Sequence, residues 1–280
     1  MQAFPEFSHM PAPFWAMTKY ISETLGYTIR KQGVVRTYSI DEIGSLLSQN
    51  GITVDYESIK KAKQYFDMRA DLLNNVVRNN LMNAAEAKEA FERLYPLHRD
   101  NGFKCKLPMN KQKGAMKQVA FFTSIINIIA EDTLRRSSVY DGSLGFNDDP
   151  RGLAYVFDSD NHIIGASSRR FDGAYPNILN PRILWEIKEY YYATTFGSRV
   201  ADGVYETQLD GYEFKDISQR SGKLITHVFF LDAYKTWWED GKSYLCRIID
   251  ILNSGLVDEV IVGREVFHRW PELLSSIIEE

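Results

Sequence analysis

The stretch RFDGAYPNILNPRILWEIKE, Arg170–Glu189, decides the fold. It opens on an isolated acid, Asp172, passes through a turn-rich loop holding Pro176 and Pro181, and closes on the apolar run Ile183-Leu184-Trp185 followed by Glu186-Ile187-Lys188. Side chains alternate across a strand, so a strand here sets Glu186 and Lys188 on one face and turns Ile187 into the core. If Asp172 ends a neighbouring strand, the connection between them brings a second carboxylate to the same ledge. Two carboxylates with open coordination positions suit a hard divalent cation such as Mg²⁺, and a nearby lysine can stabilise phosphate charge or orient an attacking water. The tripeptide alone fits equally a surface strand with an alternating ion pair, so the order of the flanking elements carries the decision.

Upstream, Met116 to Leu134 reads as a helix with Val119, Phe122, Ile125, Ile126 and Ile129 on a broad buried stripe and Glu131 and Asp132 near its end. After an Asp/Gly/Pro-rich loop, Leu153 to Phe157 reads as a strand, Asp158 to Asn161 as a turn, and His162 to Ala166 as the hairpin partner, which continues towards Asp172. Ile183 to Glu189 is then the third strand of a meander. Downstream, Thr195 to Ser198 marks a turn, and Arg199 to Leu209 a helix with Val200, Val204 and Leu209 apolar. Arg199, Asp202 and Glu206 pair along that helix. LITHVFFLD, Leu224 to Asp232, is a strand buried on both faces, a long helix runs from Thr236 to Asn253, and Val257 to Val262 is a last buried strand after a Gly255 cap. Strand, helix, strand implies a right-handed parallel crossover. Trp237 and Trp238 belong to the core or to a dimer contact.

The N-terminal part reads as mainly helical. A helix from Trp15 to Gly26 precedes a small hairpin built from Thr28-Ile29-Arg30 and Val34-Val35-Arg36 around Gly33. Ser39 and Glu42 form a capping box for a helix carrying Ile43, Leu46 and Leu47, and Asp55 caps a second helix through Ile59, Ala62 and Phe66 beyond Leu72. With Lys60, Lys61, Lys63 and Arg69 on the second helix, the pair is compatible with a helix-turn-helix DNA reader or with a plain hairpin whose basic face is solvated. An Ala/Glu-rich helix, Asn83 to Tyr95, should stop before Pro96. Asp100 to Lys117, with Lys104, Lys106, Lys111, Lys113 and Lys117 among glycines and a proline, reads as a linker or a DNA-facing loop. The domains expected are residues 1–110, helical, and 111–280, carrying the ledge.

Composition narrows the classes. The chain of 280 residues, 44% hydrophobic and 13% aromatic, can bury a substantial core, and nothing in it suggests disorder. A net charge of −4 argues against coating nucleic acid by bulk charge but leaves room for a local basic groove. Cys105 and Cys246 form no CxxC pair, so neither a zinc site nor a disulfide framework is indicated. The N-terminus lacks a basic segment followed by an apolar one, and no apolar run approaches the roughly 20 residues that span a bilayer, so a cytoplasmic protein without membrane contact is expected.

Asp172, a thirteen-residue gap and Glu186-x-Lys188 together resemble the signature of the PD-(D/E)xK nuclease superfamily, the superfamily of type II restriction endonucleases, with Phe171 where a proline usually precedes the acid. The string helix, three strands, helix, strand, with an added helix and strand, is similar to that superfamily's core. The resemblance implies an α/β restriction-endonuclease-like fold: a mixed central sheet flanked by helices, behind a mainly helical N-terminal domain. It implies Mg²⁺ on Asp172, Glu186 and the Ile187 carbonyl, with Lys188 touching the water or the phosphate. Glu131 is the candidate for a further catalytic carboxylate from the preceding helix. Glu189 points opposite Lys188 and is left out. Arg169 and Arg170, with Lys111 and Lys113, are candidate nucleic-acid contacts, and Tyr190-Tyr191-Tyr192 either stack on bases or pack on a neighbouring helix. The activity implied is Mg²⁺-dependent cleavage of double-stranded DNA in a restriction or other prokaryotic defence system, by a homodimer, with a cognate methyltransferase encoded separately. The alternatives are a non-catalytic DNA-binding or assembly subunit with the same fold, and a nuclease acting on RNA or branched DNA.

Overall fold

The computed structural model describes residues 1–29, 31–192 and 198–279. Helix α1 (Ala12–Leu25) begins next to Pro11 and ends at Gly26, whose φ of 86° few other residues accept. A hairpin of β1 (Thr28–Ile29) and β2 (Val34–Val35) follows; Arg30, expected in its first strand, lies outside the described residues. Helix α2 (Ile40–Gln49) starts at the Ser39–Glu42 capping box, both bonds present at 2.9 and 3.1 Å. Helix α3 (Tyr56–Asp71), capped by Asp55, runs on through a π-helical turn (Leu72–Val77) into the short α4 (Arg78–Asn80).

Helix α5 (Ala84–Asp100) contains Pro96 instead of stopping before it. Its Ala87, Ala90, Phe91, Leu94 and Leu97 pack into the same core as helix α6 (Phe121–Arg136), and that contact outweighs the hydrogen bond the proline forgoes. Helix α6 begins at Phe121 and not at Met116, because Asn110 closes residues 110–118 into a loop: its N–H donates to the Gln118 carbonyl and its side-chain amide to that of Met116.

The expected three-stranded meander is not continuous. Strands β3 (Tyr155–Phe157) and β4 (Ile163–Ala166) form a separate two-stranded sheet, and a further short strand, β5 (Gly173–Tyr175), partners β6 (Ile183–Glu189). Helix α7 (Ser198–Ser221) leads to β7 (Thr226–Asp232). A π-helical segment (Tyr234–Asp240) and α8 (Lys242–Asn253), separated at Gly241, replace the one long helix expected. Strand β8 (Glu259–Val262) and α9 (Val266–Glu279) complete the chain. The main sheet is mixed, in the order β5-β6-β7-β8, with β5 antiparallel to β6, and β6, β7 and β8 parallel. Its parallel strands need covered faces, and both are covered. Ile183, Trp185, Val228, Phe230 and Ile261 pack with α5, α6 and α9, whereas Phe229, Leu231, Val260 and Val262 pack with α7 and α8. The protein is thus mixed α/β, with a mixed sheet flanked by helices.

The packing divides nearer residue 80 than 110, since α5 helps cover the sheet. Helices α1, α2 and α3 form their own cluster around Phe14, Ile21, Tyr65 and Phe66. They dock on α8: Arg69, fully buried, meets Asp250 at 2.9 Å and Ser22 at 3.0 Å, and the Tyr65 hydroxyl donates to Asp250. Arg69 is therefore no part of a DNA-reading face. Lys60, Lys61 and Lys63 pair with Glu57, Glu6 and Asp67, so the basic face expected of a reader helix is neutralised by neighbouring acids. Among the described residues no helix is long and apolar enough to cross a membrane.

Candidate active site

Strand period places the ledge. Ile183, Trp185 and Ile187 face α6, and Glu186 and Lys188 face α7. Asp172, the residue before β5, donates its N–H to the Trp185 carbonyl at 3.0 Å and accepts the Ile187 N–H on Oδ2 at 2.7 Å, so its carboxylate lies against the backbone next to Glu186. Such closeness needs glycine at the following position, because a Cβ on Gly173 would stand 1.9 Å from the Trp185 ring. Along β6 the three residues of β5 reach only Ile183 to Trp185, and among the described residues no strand pairs with the outer edge of β6 beyond them. The N–H and C=O of one strand residue point to the same edge, so the Ile187 carbonyl opens on the Asp172 side.

Glu186 is 5% exposed and meets Lys188 at 2.5 Å through one oxygen and Arg169 at 2.8 Å through the other. Arg169 in turn forks onto Asp210 of α7, with its nearest contact at 2.6 Å. Glu206 of α7 stands 3.5 Å from Lys188 and 4.0 Å from Arg169. The lysine shaft crosses α7 at Gly203, where a Cβ would come within 2.8 Å of its Cε. Gly203, Glu206 and Asp210 recur at i, i+3 and i+7, one helix face. That spacing is the signal that could have found the acids of α7 in the sequence. Pairing of Asp202 and Glu206 with Arg199 is what the sequence suggests; the Arg199 side chain lies outside the described residues, as does the turn expected at 195–197, and Glu206 turns to the ledge.

Burial, and then the neighbouring Glu186 charge, push the Asp172 carboxyl up to about 6, although one of its sides remains open to solvent. Burial also raises Asp210 to about 6 against the pull of Arg169. Burial by itself would lower Arg169 and Lys188, yet the surrounding carboxylates outweigh it and hold both above their usual values. The Lys111 charge, with that of Lys188, opposes the rise at Asp172. Lys111, Lys113 and Arg170 are exposed.

Two expectations need correction. Arg169 is not a free phosphate contact, since Asp210 and Glu186 consume its guanidinium. Glu131 is not brought to the ledge: fully buried, it accepts the N–H groups of Lys104 and Cys105 at 2.7 Å and pairs with Arg135, which ties down the loop after α5. Glu189, facing away from Lys188, instead caps α6, accepting the Thr123 N–H and hydroxyl at 3.0 Å, and burial pushes it up to about 7. The tyrosines pack: Tyr190 stacks on Trp237 and the Tyr191 hydroxyl donates to Asp232. Trp237 and Trp238 are core. Unforeseen in the sequence, Asp158, Asp160 and His162 hold ligand-type atoms within 4.8 Å of one another at the β3–β4 turn, where the Asp158 carboxylate also accepts the N–H groups of the other two.

Residues 82–277 match a family model described as "Domain of unknown function (DUF7687)", and residues 1–76 match one described as "Domain of unknown function (DUF7690)". The chain belongs to the DUF7687 family. The two matches meet where the packing divides. No curated protein and no solved structure matches the chain.

Proposed function

We propose that this protein is a Mg²⁺-dependent endonuclease that hydrolyses phosphodiester bonds of double-stranded DNA, with a restriction-endonuclease-like core formed by α6, the strands up to β6, α7 and β7. One observation carries the reading: the Asp172 carboxylate is seated on the Ile187 N–H, beside Glu186 and on the edge where the Ile187 carbonyl opens. These donors are all hard oxygens, and burial together with the neighbouring Glu186 charge raises Asp172, so the set fits a small divalent cation. Asp172, Glu186 and the Ile187 carbonyl would hold it. A bound Mg²⁺ supplies a water of lowered pKa and offsets charge on the phosphate. Lys188, fixed on the same face, orients that water or a phosphate oxygen, while the exposed Lys111, Lys113 and Arg170 contact the DNA backbone. Cutting both strands calls for a homodimer, and the activity suits a defence system with a separate methyltransferase.

One feature favours a second reading, a DNA-binding subunit without chemistry: both Glu186 oxygens are engaged by Arg169 and Lys188. Supercoiled plasmid incubated with the purified protein and Mg²⁺ separates the two. Nicked and linear product from the native chain, absent with chelator and with Lys188→Met, supports the nuclease. Retarded but uncut DNA with every divalent metal supports the subunit.

A further inference from the structure

Resting on the metal-site reading above, we infer that Arg169, held by Asp210, is a built-in competitor for the metal position on Glu186, and that Glu206 is the acceptor that receives the displaced cations; α7 thereby sets the metal affinity of the ledge. Arg169 and Lys188 each hold one Glu186 oxygen, so a further cation at Glu186 must share an oxygen with one of them or draw it away. A place to move is present. Glu206, half exposed, already stands 3.5 Å from Lys188 and 4.0 Å from Arg169, contacts that tighten with a small rotation of either side chain. Asp210 is only 2% exposed, and its three contacts with the Arg169 fork keep the guanidinium close when it leaves Glu186.

Charge counting gives the same answer. Asp172, Glu186, Glu206 and Asp210 are four carboxylates against two cations, Arg169 and Lys188. The formal surplus of two negative charges equals the charge of one divalent ion. Removing a cation deepens that surplus and removing an acid on α7 reduces it. The two kinds of variant should therefore move metal affinity in opposite directions, which a purely structural ion-pair network would not require.

Mn²⁺ titrated into the full chain without DNA, with free ion read by electron paramagnetic resonance, tests this independently of activity. Arg169→Gln should bind Mn²⁺ about tenfold more tightly than the native chain, and Glu206→Gln about tenfold more weakly. Arg169→Lys, which retains the charge but not the fork, should shift in the same direction as Arg169→Gln by less, and it serves if the glutamine variant fails to fold. Asp172→Asn is the control on the site itself. If it leaves Mn²⁺ affinity unchanged, the metal-site reading falls and the competitor falls with it. If it abolishes binding while the Arg169 variants bind no more tightly than the native chain, the competitor alone is overturned.

Discussion

Glu131 and Glu186 are both buried, and each meets an arginine, yet they do different things. Glu131 accepts two backbone N–H groups as well as Arg135, all fixed by the fold, and no hydrogen bond or ion pair links it to the Asp172–Glu186 ledge. Glu186 meets two side-chain cations, Arg169 and Lys188, and has Asp172 pressed beside it, with Glu206 and Asp210 close behind. Burial and an arginine therefore do not mark a reactive carboxylate. On the proposed reading a second carboxylate held against the first does, because their repulsion is relieved by added positive charge.

The largest expected effect tests that contrast directly. Glu186→Gln should lower the initial rate of Mg²⁺-dependent plasmid cleavage by about 10³-fold, beyond the roughly 10–100-fold that loss of a partner behind a metal ligand costs. Its thermal unfolding should change little by comparison. Glu131→Gln should do the reverse, lowering unfolding free energy by about 3 kcal/mol, since it takes the counter-charge from Arg135 and one acceptor oxygen from the Lys104 and Cys105 N–H groups, while the cleavage rate per folded molecule stays the same. Urea denaturation with cleavage assayed on the folded fraction checks both halves. A rate loss at full folding would return Glu131 to the site.

A third buried acid sharpens the comparison on the structural side. Asp232 accepts the Met82 and Ala233 N–H groups and the Tyr191 hydroxyl, and burial pushes it up to about 8 from the usual 3.8. The folded protein thus keeps a proton that the unfolded chain releases, so this group's contribution is fully present below about pH 4 and is lost as pH rises towards 8. The slope is at most ~1.4 kcal/mol per pH unit for one group. Urea midpoints from pH 4 to 8 should flatten in Asp232→Asn; an unchanged slope would remove Asp232 as its source. The smallest effect concerns the exposed cations. Lys111→Ala should weaken duplex binding about equally for all sequences and reduce the salt dependence by about one counterion, as read by fluorescence anisotropy.

Much of this was legible in the sequence because it depends on local rules. The period of two in WEIK puts Glu186 and Lys188 on one face, and the apolar LITHVFFLD marks a doubly covered strand whose parallel pairing with β6 and β8 follows from the crossover. What was missed depends on contacts across the chain. Strand β5 is three residues long and reads as loop; only the Trp185 ring lying on Gly173 makes sense of it. The helix expected over Arg199 to Leu209 runs on to Ser221, and Gly211 within it permits the close approach to Leu256, whose carbonyl would be 2.1 Å from a Cβ. Lys61, Arg69 and Arg169 looked free because their acids, Glu6, Asp250 and Asp210, come from distant positions. Leu209, apolar in the sequence like Val200 and Val204, is 64% exposed, whereas those two are buried.

The most direct test of the central claim is a crystal of the full chain soaked in Mn²⁺, with an anomalous difference map. One strong peak is expected within coordination distance of both the Asp172 and Glu186 carboxylates, with the Arg169 guanidinium drawn off Glu186 and still on Asp210. A peak at the Asp158 turn alone, or none at the ledge at saturating Mn²⁺, would contradict it.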